Sequence, residues 1–213
     1  DSLFVRLFEG APASDRWILL DMDRRVQAGH GEDSTVEHGV ILAASLADKG
    51  LRMRLAVGLA AHGERLAWLP PRRSEGQRMK ILRSLALVST GSRTLAELLT
   101  RTGPAIGQRA SLVIITPAME SAWIEALTPL LWRGVTPTVL LLDPASFGGN
   151  GDAQSTAALL SNLGIAYHVI TRDLLDRPEA RPGQQGRWEW RVLSTGRATP
   201  IRQPGASPWR RLS

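Results

Sequence analysis

Apolar and polar residues alternate along this chain in two periods, and each period predicts a different element. Arg16 to Asp21 (RWILLD), Ser111 to Thr116 (SLVIIT) and Thr138 to Asp143 (TVLLLD) are near-continuous apolar runs of strand length, the pattern of strands covered on both faces in a parallel sheet. Leu3 to Phe8 and Ala166 to Ile170 predict two further short strands. From Arg52 to Leu59 the apolar residues fall on alternate positions: Met53, Leu55, Val57 and Leu59. A turn at Ala61-His62-Gly63-Glu64 then predicts a second strand, Arg65 to Leu69, returning antiparallel and ended by Pro70 and Pro71.

Between these runs the spacing becomes helical. Val36, Val40, Ile41, Ala44, Leu46 and Ala47 mark a helix from Ser34 to Lys49, opened by the capping box Ser34-x-x-Glu37 and stopped by Gly50. Met79, Leu82, Leu85 and Ala86 mark a second from Glu75 to Val88, and Thr94-x-x-Glu97 opens a third from Leu95 to Arg101. Glu120 to Arg133 and Asp152 to Asn162 predict two more, ended by Gly134 and Gly164. Strands alternating with helices, with one returning pair, define the expected fold class: α/β, a three-layer Rossmann-like sandwich with a mostly parallel sheet and one antiparallel edge strand.

After Asp176 the composition shifts. Five of the 13 prolines lie there, mixed with Gly and Arg, so residues 1–176 are expected to form the α/β domain and 177–213 an appendage with a disordered end. Within it Trp188, Trp190 and Val192 alternate with Arg187, Glu189 and Arg191, and Ser194-Thr195-Gly196 predicts a turn into a carboxy-terminal hairpin ending at Arg202.

Composition narrows the chemistry. With no cysteine among 213 residues, disulfide frameworks, zinc fingers, iron–sulfur sites and thiol catalysis are excluded. No apolar run approaches the roughly 20 residues of a membrane-spanning helix, so the chain is expected to be soluble. It begins at Asp1 without Met or an apolar leader, which points to a piece of a longer protein or a processed chain. The net charge of +6 invites a nucleic-acid reading, but Thr171 to Ser213 holds nine arginines and four acids, leaving seventeen basic and sixteen acidic residues in the rest. The basic cluster Arg72, Arg73, Arg78, Lys80 and Arg83 then reads as a solvated helix face, and no nucleic-acid partner is expected.

In an open α/β sheet ligands bind beyond the carboxyl ends of the strands, where the strand order reverses. Four such exits are polar: Asp21 to Arg25, Ser89 to Thr94, Thr116 to Met119 and Asp143 to Asp152. Asp21 and Asp23 there suit either Mg²⁺, which takes oxygen ligands, or the simpler role of accepting backbone N–H bonds. His30, His38, His62 and His168 show no metal-binding spacing and read as surface or half-buried residues. The Gly-rich stretch Phe147 to Asp152 lacks a phosphate-binding Lys and reads as a flexible turn.

The element order resembles the von Willebrand factor type A domain. RWILLDMD, EHGVILAASLADKG, LVIITPAMESAWIEAL and LLLDPASFGG resemble more closely the carboxy-terminal half of the bacterial domain of unknown function 58 family, over most of Leu3 to Ile170. This resemblance implies a cytoplasmic domain of a membrane-anchored bacterial protein, anchored by a preceding part, that partners MoxR-type AAA+ ATPases. The type A metal site takes an Asp-x-Ser-x-Ser motif, a Thr and a second Asp. Asp21 matches the first Asp, but the Ser positions are Asp23 and Arg25, Pro117 follows Thr116, and Ser92 or Thr94 is left to supply a hydroxyl. A guanidinium in that position places a fixed cation where the metal charge would lie, so the adhesion site is expected to be degenerate, with no cofactor; a Mg²⁺ ion, if held, would fall to Asp21, Asp23 and Thr116.

The resulting expectation is a non-catalytic protein-interaction domain. Its binding face comprises Asp21, Asp23, Arg25, Ser92, Thr94, Thr116, Asp143 and Ser146, with Trp188 and Trp190 as a second contact. The alternatives are a Mg²⁺-dependent adhesion module and a phosphoester hydrolase.

Overall fold

The computed structural model describes residues 15–175 together with the backbone of two later strands, 189–192 and 198–202. The strand expected at Leu3 to Phe8 and the end of the tail lie outside the described residues. By its internal contacts the chain forms two compact units, Asp1–Ile170 and Thr171–Ser213.

The first unit is built on a six-stranded sheet. Its strands are β1 (Arg16–Leu20), β4 (Val57–His62), β5 (Leu66–Arg72), β6 (Ser111–Thr116), β7 (Thr136–Leu142) and β8 (Ala166–Ile170), in the order β5-β4-β1-β6-β7-β8. All pairs are parallel except β4 with β5. A short antiparallel pair absent from the sequence reading, β2 (Gly29–His30) with β3 (Asp33–Ser34), follows β1. The helices are α1 (Thr35–Arg52), α2 (Glu75–Ala86), α3 (Leu95–Thr102), α4 (Ala122–Trp132) and α5 (Ala153–Asn162). This is the expected three-layer α/β sandwich with one antiparallel edge strand.

Alternation along β1 divides the core. Trp17 and Leu19 point into a cluster with Leu98 and Leu99 of α3, Trp123 and Leu127 of α4 and Leu160 of α5. On the opposite face α1 and α2 pack together. There α1 runs so close over the sheet that a Cβ at Gly39 would stand 2.9 Å from Leu20 Cδ1. Each fully buried Leu or Ile of these layers contributes roughly 1.5 to 3 kcal/mol.

Several boundaries differ from the sequence reading for physical reasons. Gly50 does not stop α1: it is buried in the helix, where a Cβ would meet Val57 Cγ2 at 2.8 Å. The helix runs on to Arg52 and closes with Arg54 in the left-handed region, φ 60°, while Leu55 N–H donates to Gly50 O at 3.0 Å. The residues from Arg52 to Leu55 therefore belong to a helix end, and β4 starts only at Val57. Pro70 and Pro71 lie inside β5 rather than ending it, because an edge strand does not need every N–H for the ladder. In α2 Met79 is exposed, whereas Gln77 is buried beside Ile81 and Leu85, and its Nε2 donates to Val57 O and Pro70 O, both at 2.9 Å. A polar side chain thus ties helix, inner strand and edge strand together. His38 is fully buried rather than at the surface or half-buried as expected, and meets Phe147 edge-on at 4.8 Å.

The second unit holds a four-residue helix α6 (Arg172–Leu175) and an antiparallel pair, β9 (Glu189–Val192) with β10 (Ala198–Arg202).

Candidate functional site

The chain leaves β1 toward β4 on one side and reaches β6 on the other, so the order reverses between β1 and β6. The carboxyl ends of these two strands deliver Asp21 and Thr116. Thr116 donates its hydroxyl to Asp21 Oδ2 at 2.7 Å, and Ala118 N–H donates to Thr116 Oγ1 at 2.9 Å. Asp21 Oδ1 accepts the Asp23 N–H at 3.0 Å. Asp21 is 3% exposed. Burial raises its carboxyl to about 6, against the opposing effect of the Thr116 and Asp23 hydrogen bonds.

One turn further on, Asp23 is equally buried and its carboxylate is engaged by Arg25. Arg25 Nη2 donates to Oδ2 at 2.8 Å, Nε donates to Oδ1 at 3.0 Å, and the Arg25 N–H reaches Oδ1 at 3.1 Å. The geometry is that of a forked, two-point pair, with the carboxylate inside and the guanidinium largely in solvent. Its hydrogen bonds to the Asp23 carboxylate, then the charge of Asp23, raise the Arg25 pKa further. The loop is held by a parallel bridge between Asp23 and Gly91, in which Gly91 N–H donates to Met22 O and Arg24 N–H to Gly91 O, both at 2.8 Å. Glycine is required there, since a Cβ at Gly91 would lie 2.2 Å from the Gly63 backbone.

Above these carboxylates is a crevice of about 60 Å³ between the first turns of α3 and α4. Asp21, Asp23, Thr94, Leu95, Glu120 and Trp123 line it. Thr94 caps α3 in a reciprocal box, its hydroxyl accepting from Glu97 N–H at 3.1 Å and Glu97 Oε2 accepting the Thr94 N–H at 2.9 Å. Trp123 Nε1 donates to Ala118 O at 3.2 Å. Glu120 and Trp123 were not singled out in the sequence; position just after a strand exit, opposite Asp21, is the signal that finds them.

The remaining candidates sit around this center. Ser92 offers its carbonyl to Arg25 Nη2 at 3.4 Å. Asp143 and Ser146 lie at the exit of β7, outside the crevice lining: Asp143 accepts from Ala145 N–H at 3.2 Å and Ser146 Oγ donates to Asp143 O at 2.8 Å. Within the Gly-rich stretch after Phe147, Gly149 packs closely: a Cβ there would lie 2.5 Å from Ala28 Cβ. Trp188 lies outside the described residues, and Trp190 is described only as a backbone position in β9.

Solved structures with this architecture were found at low sequence identity. An aerotolerance-related membrane protein from Bacteroides fragilis is similar over 77% of this chain and 94% of its own, with TM-score 0.52 and 16% identity. The VWA domain of SpRpn10 is similar over 77% of this chain and 94% of its own, with TM-score 0.51 and 14% identity. The pilus adhesin SpaC from Lactobacillus rhamnosus GG, in its open conformation, is similar over 76% of this chain and 28% of its own, with TM-score 0.54 and 10% identity. No family model and no curated protein matches the chain. The fold is therefore von Willebrand factor type A-like.

A Mg²⁺ ion at this switch point would need oxygens free to face it. Both oxygens of Asp21 already accept hydrogen bonds, the Thr116 hydroxyl is spent on Asp21, and the Asp23 carboxylate is closed by a guanidinium. These hydrogen bonds and the Arg25–Asp23 pair are the interactions that a divalent ion would have to displace there.

Proposed function

We propose that this chain is a non-catalytic protein-interaction domain whose docking face is the crevice at the β1/β6 switch point. In this reading the site is a degenerate metal-ion adhesion site, with the Arg25 guanidinium standing in for the ion. One observation carries it: the two-point Arg25–Asp23 pair, which fixes a guanidinium at the rim with its charge balanced by Asp23 and its remaining N–H groups toward solvent. An arginine held in this way still offers N–H donors to an oxygen acceptor on a partner without needing a metal. Glu97 and Glu120 flank it and bias the face against indiscriminate anion binding.

The sequence resemblance supports a finer version: a cytoplasmic domain of a membrane-anchored bacterial protein of the domain of unknown function 58 family, with a MoxR-type AAA+ ATPase as partner. Affinity capture of that ATPase by wild type and by Arg25→Ser, each with and without chelator, tests it. Capture that survives chelator and is lost in Arg25→Ser supports the docking face. Capture abolished by chelator replaces it with a Mg²⁺-dependent adhesion module.

A further inference from the structure

The first unit is nearly neutral in sum but divided in distribution. In a parallel sheet every loop leaving a strand lies at one pole and every loop entering one lies at the other. The carboxyl-end segments 21–37, 62–65, 93–97, 117–122 and 143–152 hold ten acidic and four basic residues. The amino-end segments 15–16, 48–56, 72–78, 103–110, 132–135 and 162–165 hold nine basic and three acidic residues.

Two of those three acids are already engaged: Asp48 by Arg52 at 2.8 Å and Arg78 at 2.6 Å, and Glu75 by Arg78 at 3.0 Å. Lys49, Arg54, Arg72, Arg73 and Arg109 are exposed and carry no ion pair among the described residues. The like charge of Arg73 adds to burial in lowering the Arg16 pKa.

Backbone conformation marks two of these cations. Among the described residues only Arg54 (φ 60°) and Arg109 (φ 57°) are non-glycine residues in the left-handed region, at a cost of roughly 1 to 2 kcal/mol each. The ends of α4 and α5 solve the same turn with Gly134 and Gly164, at φ 74° and 67°. At the end of α1 an arginine occupies the place where glycine costs least.

The same pole exposes large apolar side chains: Met53 between Arg52 and Arg54, Trp132 beside Arg133, and Leu163 at the end of α5, at 55%, 85% and 52%. Arg109 N–H donates to Arg133 O at 3.3 Å, which ties its backbone to the end of α4 that carries Trp132. Cations interspersed with Trp, Leu and Met suit a lipid interface, whereas exposed Leu and Met add nothing to a phosphate backbone.

We propose that this basic pole is a peripheral docking surface for anionic phospholipid bilayers, its five unpaired cations on the headgroups and its three apolar side chains beneath them. Docked in this way, the domain presents the crevice at its opposite end away from the bilayer.

The test is flotation of the 213-residue chain, in low and high salt, with phosphatidylcholine vesicles containing no phosphatidylglycerol or about 40 mol% of it, where each nearby cation is expected to add about fivefold. The informative variant is Arg54→Gly/Arg109→Gly, which removes two charges while relieving backbone strain, so its melting temperature is expected to hold or rise. Salt-sensitive binding to the anionic vesicles only, weakened roughly 25-fold in that variant and further by Trp132→Ser, supports the proposal. No binding, equal binding to neutral vesicles, or binding unchanged in the variant overturns it, the last by assigning attraction to the arginine-rich tail. Salt-sensitive binding of an oligonucleotide in place of vesicles also overturns it.

Discussion

Thr116 donates its hydroxyl to Asp21 at 2.7 Å across 95 residues of chain, joining the ends of the two strands between which the sheet changes direction. Thr116→Val keeps the shape but leaves the Asp21 oxygen and the Ala118 N–H without a partner. Unfolding in urea is expected to show a loss of about 1 to 3 kcal/mol. Titration of Asp21 followed by NMR is expected to move still higher, because a hydrogen bond that favored the charged form is gone.

Burial raises Asp21 to about 6 in the folded protein, above its ordinary value of 3.8. The folded state therefore binds the proton more tightly than the unfolded chain. This contribution to stability is fully present below about pH 4 and is lost as pH rises through about 6, amounting to at most about 3 kcal/mol. Comparing unfolding free energies at pH 4 and 7.5 checks it: Asp21→Asn is expected to remove that part of the pH dependence and to be the more stable protein at pH 7.5.

Gly91 holds the Asp23 loop by two 2.8 Å backbone bonds and has no room for a side chain. Gly91→Ala is expected to cost about 3 kcal/mol and to separate Asp23 from its seat, read as lost thermal stability together with lost partner capture.

Gln77 is the one buried polar side chain of α2, and Gln77→Leu would strand two carbonyls, of Val57 and Pro70. Equilibrium unfolding is expected to show a loss of about 2 kcal/mol, with faster hydrogen exchange confined to β5.

The strands at 111–116 and 166–170 match the sequence reading residue for residue, because an apolar run of strand length flanked by polar turns leaves little else to build. The misread positions share another cause. Gly50, Gln77 and Met79 obey tertiary proximity rather than local pattern: the Val57 side chain would lie 2.8 Å from a Cβ at Gly50, which makes it a packing residue, and hydrogen bonds to the Val57 and Pro70 carbonyls hold Gln77 inward. At the crevice, Asp21, Asp23, Thr94 and Thr116 were legible because strand polarity fixes which loops converge. Glu120 and Trp123 were not, since no motif marks them and only their position after the β6 exit points to them. The charge division was legible but hidden by summation: a nearly neutral total says nothing of poles until loops are sorted by the end of the sheet they occupy.

In the proposed reading an arginine occupies the role of a divalent ion at the switch point. Thermal melting of the wild type under a magnesium titration tests it most directly. The melting temperature is expected to stay flat into the millimolar range, while Asp23→Ser/Arg25→Ser, which restores the adhesion-site motif, is expected to gain a magnesium-dependent rise, about 2.7 kcal/mol at a hundredfold excess over its Kd. A saturable rise in the wild type that disappears in Asp21→Ala would contradict the account.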